Sequence, residues 1–119
     1  LHPAILALRV DENIFFANAS QIEDRIVGRA LRRRGITDLL LACGSVNRID
    51  STGLAMLQRM SETLADLGIR FNLSEIKGPL MQELLATGLA DNISGNIYLS
   101  NDKAMRALTG FSDSSREEQ

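Results

Sequence analysis

Between Leu54 and Leu67 apolar residues recur at three- and four-residue steps, as Leu54, Leu57, Met60, Leu64 and Leu67. This spacing lays one apolar stripe along a helix whose other faces carry Gln58, Arg59, Glu62 and Asp66. Upstream, Leu39-Leu40-Leu41-Ala42 is continuously apolar, as in a strand covered on both faces of a parallel sheet. Asp50-Ser51-Thr52-Gly53-Leu54 therefore falls where the helix begins. At such a point free backbone N–H groups and the positive end of the helix dipole call for an acceptor, which Asp and Ser side chains supply.

The same reading extends along the chain. Ile5 to Val10 is a strand pattern, Asp11-Glu12-Asn13 breaks it, and Ile14-Phe15-Phe16 resumes extended sequence, which predicts an antiparallel hairpin. Ser20-Gln21-Ile22-Glu23 has the spacing of a capping box ahead of a stripe of Ile22, Ile26, Ala30 and Leu31. Arg32, Arg33 and Arg34 then fall in the last turn before Gly35. Ile69, Phe71 and Leu73 alternate with polar residues as a strand, and Gly78-Pro79 opens a helix that Gly88 ends. Ile97-Tyr98-Leu99 is a short strand, followed by a helix capped from Ser100-Asn101-Asp102.

Alternating strands and helices force parallel strands with right-handed crossovers. The expected fold is α/β: a mostly parallel sheet of four to five strands, begun by the antiparallel hairpin, with helices packed on it. Residues 1–111 form one domain and residues 112–119, small, polar and charged, a disordered tail.

Composition narrows the partners. A length of 119 residues with 45% hydrophobic content suits one core. The net charge of −2 and an aromatic content of 4% argue against a nucleic-acid partner, which would need a basic footprint or stacking platforms. The single Cys43 forms no internal disulfide, and no apolar run approaches the roughly 20 residues that cross a bilayer. The expectation is a soluble cytoplasmic fragment, and the start at Leu1, directly into strand-like sequence, reads as a piece of something longer.

Catalytic templates fit poorly. His2 is the only histidine and lies near the chain start, so Ser51 has no credible triad base. Ile49-Asp50-Ser51-Thr52-Gly53 lacks the first Gly of a nucleophile elbow. One Cys and one His do not make a zinc site, and neither phosphate-loop nor dinucleotide fingerprints occur. No enzyme, cofactor or metal is expected. What remains is the Ser51-Thr52 hydroxyl pair beside Asp50 at a strand-to-helix junction, where parallel sheets carry their sites. Two readings stand: a cap with a packing glycine at Gly53, or an interaction site at which a phosphate on Ser51 would meet the helix dipole. Arg32 to Arg34 read either as a solvated helix end or as a docking patch for acidic lipid or protein. Cys43 reads as core filling, and Phe15 and Phe16 as core and edge packing.

Asp50-Ser51-Thr52-Gly53-Leu54, followed by a long helix and a strand, resembles the STAS domain, shared by anti-sigma-factor antagonists and the cytoplasmic tails of SulP-type anion transporters. Asn13-Ile14-Phe15-Phe16-Ala17-Asn18-Ala19 and Leu73-Ser74-Glu75-Ile76-Lys77-Gly78-Pro79-Leu80-Met81 are similar to segments of the transporter branch. The resemblance implies a regulatory domain on the cytoplasmic face of the inner (plasma) membrane. It would belong to an integral membrane protein that moves sulfate, bicarbonate or dicarboxylates. The implied partners are the transmembrane domain of the same polypeptide, a second protomer, a cytosolic protein and, weakly, a nucleotide. In the antagonist branch the Ser after the Asp is phosphorylated, a position that corresponds to Ser51. A free-standing antagonist switched at Ser51 is the alternative.

Overall fold

In the computed structural model, which describes residues 2–110, the elements run β1 (Ile5–Arg9), α1 (Ala19–Leu31), β2 (Asp38–Ala42), α2 (Ser51–Asp66), β3 (Arg70–Ser74), α3 (Gly78–Ala86), α4 (Leu89–Asn92), β4 (Ile97–Tyr98) and α5 (Asn101–Thr109). The four strands form one sheet in the order β1-β2-β3-β4, and every pairing is parallel. All five residues of β2 are buried, as its unbroken apolar run predicts for a central strand. Alternation divides its side chains. Leu39 and Leu41, with Leu6, Phe71 and Leu73 of the neighbouring strands, join the core made by Ile22, Ile26 and Ala30 of α1 and by Leu57, Met60 and Leu64 of α2. The opposite face of β2 carries Asp38, Leu40 and Ala42, with α5 lying over its later part through Asn101 and Met105.

The N-terminal hairpin is not formed. Val10 N donates to Ala42 O, so the chain leaves β1 still following β2. Ile14 then makes a single parallel bridge to Ile49. Asn13, read as a turn former, instead turns its side chain across to the other strand-to-helix loop: its Oδ1 accepts from Asn47 N at 2.8 Å and Arg48 N at 3.1 Å. The capping box also fails. α1 begins at Ala19, and Asn18 occupies the cap position with its Oδ1 turned to Phe15 N at 2.9 Å. Glu23 reaches out of α1 to α2, where Arg59 donates to it through Nε at 3.0 Å and Nη2 at 2.8 Å.

α1 closes one turn earlier than the arginine run suggests, with Arg32 as its C-cap. α3 stops at Ala86, and left-handed Gly88 leads into the four-residue α4, which has no counterpart among the sequence expectations. α5 is capped as expected, Ser100 Oγ accepting from Lys103 N at 3.1 Å. The tail at 112–119 lies outside the described residues. No described helix is long and apolar enough to cross a membrane.

Candidate functional site

The junction between β2 and α2 is assembled around Asp50. Its backbone is extended, at φ −84° and ψ −179°, so it can stand outside α2 and cap it. Oδ1 accepts from Gly53 N at 2.8 Å, satisfying one of the orphan donors of the first turn. Oδ2 accepts from Phe16 N at 2.9 Å, while Asp50 N donates to Ile14 O at 3.0 Å. A single carboxylate thus ties the helix start to the segment that links β1 to α1. The Asn13 bonds and the Ile14–Ile49 bridge fasten the same two segments side by side.

With Asp50 as the cap, Ser51 is left as the first residue of α2, and both Ser51 and Thr52 are exposed. Neither hydroxyl has a hydrogen-bond partner among the described residues, so capping is not what Ser51 does. Gly53 is buried: a Cβ there would lie 2.7 Å from Ile49 Cγ2 and 2.9 Å from both Ile14 Cγ2 and Ile14 O. Leu54 is half-buried and packs against the core.

Beside the junction a cleft of about 460 Å³ is lined by Asn13, Ile14, Phe15, Arg48, Ile49, Asp50 and Glu83. Phe15 and Phe16 are not core residues. They are 41% and 74% exposed, with their rings edge-to-face and centroids 6.2 Å apart. Packing was the wrong expectation because the hairpin that would have paired them is absent. The sequence clue is the adjacency itself, because neighbouring side chains on an extended backbone point to opposite sides and two aromatics in a row cannot both turn inward. Asn13 is the positioning residue that sequence reasoning missed.

The other candidates lie elsewhere. Arg32 to Arg34 sit beyond the C-terminal end of α1, at the end of the sheet where the strands start, and Arg33 Nη2 donates to His2 O at 2.6 Å. Cys43 is fully buried, its Sγ 3.7 Å from Leu41 O, and burial pushes its thiol up to about 12. It stays protonated and unreactive as packed.

Comparison with known proteins accords with this architecture. A family profile described as the STAS domain matches residues 1–104. By sequence the chain is 28% identical over 121 residues to sulfate transporter 2.1 of Arabidopsis thaliana, an alignment covering 92% of this chain and 18% of that protein. It therefore spans less than a fifth of the length of that relative. By structure it is similar to the STAS domain of a SulP transporter from Vibrio cholerae, with a TM-score of 0.75 at 22% identity over 100% of this chain and 88% of that one. It is similar also to a putative anti-sigma factor antagonist from Thermotoga maritima, with a TM-score of 0.76 at 19% identity over 87% of this chain and 86% of that one. The parallel sheet, the Asp-capped helix after its second strand and the profile match over most of the length agree, and the chain belongs to the STAS domain family.

Proposed function

We propose that this chain is the regulatory and docking domain of a SulP-type secondary anion transporter of the sulfate, bicarbonate or dicarboxylate class. It acts without catalysis, on the cytoplasmic face of the membrane, through the surface around Asp50, Ser51, Thr52, Gly53 and Leu54. The observation that carries this reading is the division of labour at the helix start. Asp50 meets the capping need by itself, while the Ser51 and Thr52 hydroxyls stand exposed without hydrogen-bond partners among the described residues, close to the exposed Phe15–Phe16 pair. Aromatic rings beside exposed hydroxyls at a capped helix end make a surface suited to a protein partner. A catalytic role for Ser51 finds little support, because both Asp50 oxygens accept backbone N–H bonds and His2 lies at the opposite end of the sheet.

The transporter branch is favoured over a free-standing antagonist by the sequence match to sulfate transporter 2.1. Phosphorylation of Ser51 suits either branch: the added charge would sit on the dipole of α2, against repulsion from Asp50. The test is sulfate uptake by cells expressing the full-length protein that contains this chain. Uptake and the amount of protein in the membrane are both measured for wild type, Ser51→Ala, Ser51→Asp and a truncation before Ile5, and uptake is expressed per protein in the membrane. The expected result is that Ser51→Asp shifts uptake at least severalfold and Ser51→Ala does not mimic it. Identical uptake in both substitutions, with loss only on truncation and only through reduced delivery, would remove the switch and leave an assembly role.

A further inference from the structure

The C-terminal ends of α1 and α2 meet where the strands begin, at the far end of the sheet from Asp50. Arg29, Arg32 and Arg34 are exposed there and form no ion pair among the described residues. Within the two segments that build this end, residues 29–38 and 66–70, the acidic side chains are Asp38, held by Arg70, and Asp66. The end is therefore positive on a chain whose net charge is −2. Among these cations Leu31 and Leu67 are 63% and 47% exposed, and both line one shallow hollow of about 180 Å³, floored by Ile36 and Ile69.

Helix dipoles explain a cation in a last turn, but they explain neither a run of arginines nor exposed leucines between them. Single exposed leucines are ordinary on a protein surface. Two sharing a hollow inside a basic rim is a pattern suited to the membrane interface, where alkyl groups sink to the headgroup level and guanidinium groups remain at the phosphates.

We infer that this end of the domain docks on an anionic lipid surface, with Arg29, Arg32 and Arg34 at the phosphates and Leu31 and Leu67 inserted between headgroups. The choice of lipid over an acidic protein rests on the transporter reading. The chain enters β1 from this end, Thr37 N donating to Ala4 O and Arg33 to His2 O. A membrane domain joined ahead of β1 would hold this end close to the bilayer. Docked so, the domain presents Ser51 and Phe16 away from the membrane, open to other partners.

Flotation of the 119-residue chain with vesicles tests the inference without any transporter present. Phosphatidylcholine vesicles, with and without phosphatidylglycerol, are used at low and at physiological salt. The chain should float only with phosphatidylglycerol, and less at higher salt. Arg29→Gln/Arg32→Gln/Arg34→Gln should lower partitioning roughly fivefold per arginine, about a hundredfold in all. Leu31→Ser/Leu67→Ser should weaken binding and leave its salt dependence in place. Arg9→Gln/Lys103→Gln/Arg106→Gln removes equal charge from the last residue of β1 and from α5, on the opposite face of the sheet, and should leave partitioning nearly unchanged. Absence of wild-type binding to anionic vesicles, or an equal loss in the two triple variants, would overturn the inference. Capture by polyglutamate without capture by vesicles would assign this end to an acidic protein instead. Failure here leaves the uptake result untouched, and an uptake insensitive to Ser51 leaves this one untouched.

Discussion

Gly53 is the residue on which the junction's geometry turns. Inside a helix, alanine is ordinarily better than glycine by about 1 kcal/mol. Here the added methyl would meet Ile49 Cγ2 at 2.7 Å and Ile14 O at 2.9 Å. An isoleucine methyl can rotate away, but Ile14 O is backbone and already accepts Asp50 N at 3.0 Å. Overpacking against a fixed carbonyl, at about 1–3 kcal/mol, should outweigh the propensity gain. Gly53→Ala is therefore expected to lower the urea midpoint, and an unchanged or raised midpoint would show that the loop gives way freely. The sequence indicates a close approach at Gly53, and the approach exists. What approaches is not the sheet, however, but the bridged pair of Ile49, four residues upstream, and Ile14, 39 residues upstream, and no local pattern encodes the second.

At the scale of elements, α2 was legible because its signals are local and redundant. The apolar stripe, the Asp cap and the left-handed Gly68 beyond its end, at φ 80°, all lie within the segment itself. α1 kept its stripe at Ile22, Ile26 and Ala30, while Leu31, predicted to extend it, is exposed at the helix end; the predicted cap was lost, since Glu23 gains more from two charge-assisted bonds to Arg59 on α2 than from a backbone N–H of its own first turn. α4 was missed because four residues carry no period. The β1–α1 segment was misread as a strand because Phe and Ile favour extended backbone whether or not a hairpin exists. Asp50 bonds both that segment and the start of α2, so loosening at the cap and at Phe16 should go together. Asp50→Ala removes acceptors from Gly53 N and Phe16 N, at a cost of about 1–2 kcal/mol for the cap and about 1 kcal/mol for the loop bond. Amide exchange should accelerate at Phe16 and Gly53 and stay slow at Leu40 and Leu41. Acceleration spread evenly over the sheet would mean that the cap supports the whole fold rather than the junction.

The whole molecule is braced on its other face by a polar node that no sequence pattern announces. Asp38, 1% exposed at the start of β2, accepts from Arg70 Nε at 2.9 Å and Nη2 at 2.7 Å, from Asn72 Nδ2 at 3.1 Å and from Thr37 Oγ1 at 2.9 Å. Asn72 Oδ1 in turn accepts from Asn96 N at 2.9 Å, so β2, β3 and the approach to β4 share one network. Partners 32 and 34 residues apart are brought together only by the parallel register that sets Asp38 against Arg70. Burial pushes the Asp38 carboxyl up from its ordinary value of 3.8, but the bonds from Arg70, Asn72 and Thr37, with the Arg70 charge, outweigh it and hold the group lower. A carboxyl lowered by folding stabilises the protein above its unfolded value, and that contribution fades as pH falls through the folded value. In Arg70→Gln the bidentate partner is lost, and burial should then dominate. Because the Arg70 side chain is 61% exposed, its charge is partly screened and the loss at neutral pH should lie near the lower end of the range for a charged hydrogen bond, about 2 kcal/mol. With its carboxyl now shifted up, the variant should prefer the protonated form in the folded state, so the gap from wild type should narrow as the medium is acidified. Urea titrations at neutral pH and at successively lower pH measure this directly, and a gap that stays constant or widens in acid would mean that Arg70 stabilises the sheet by packing rather than through the Asp38 charge.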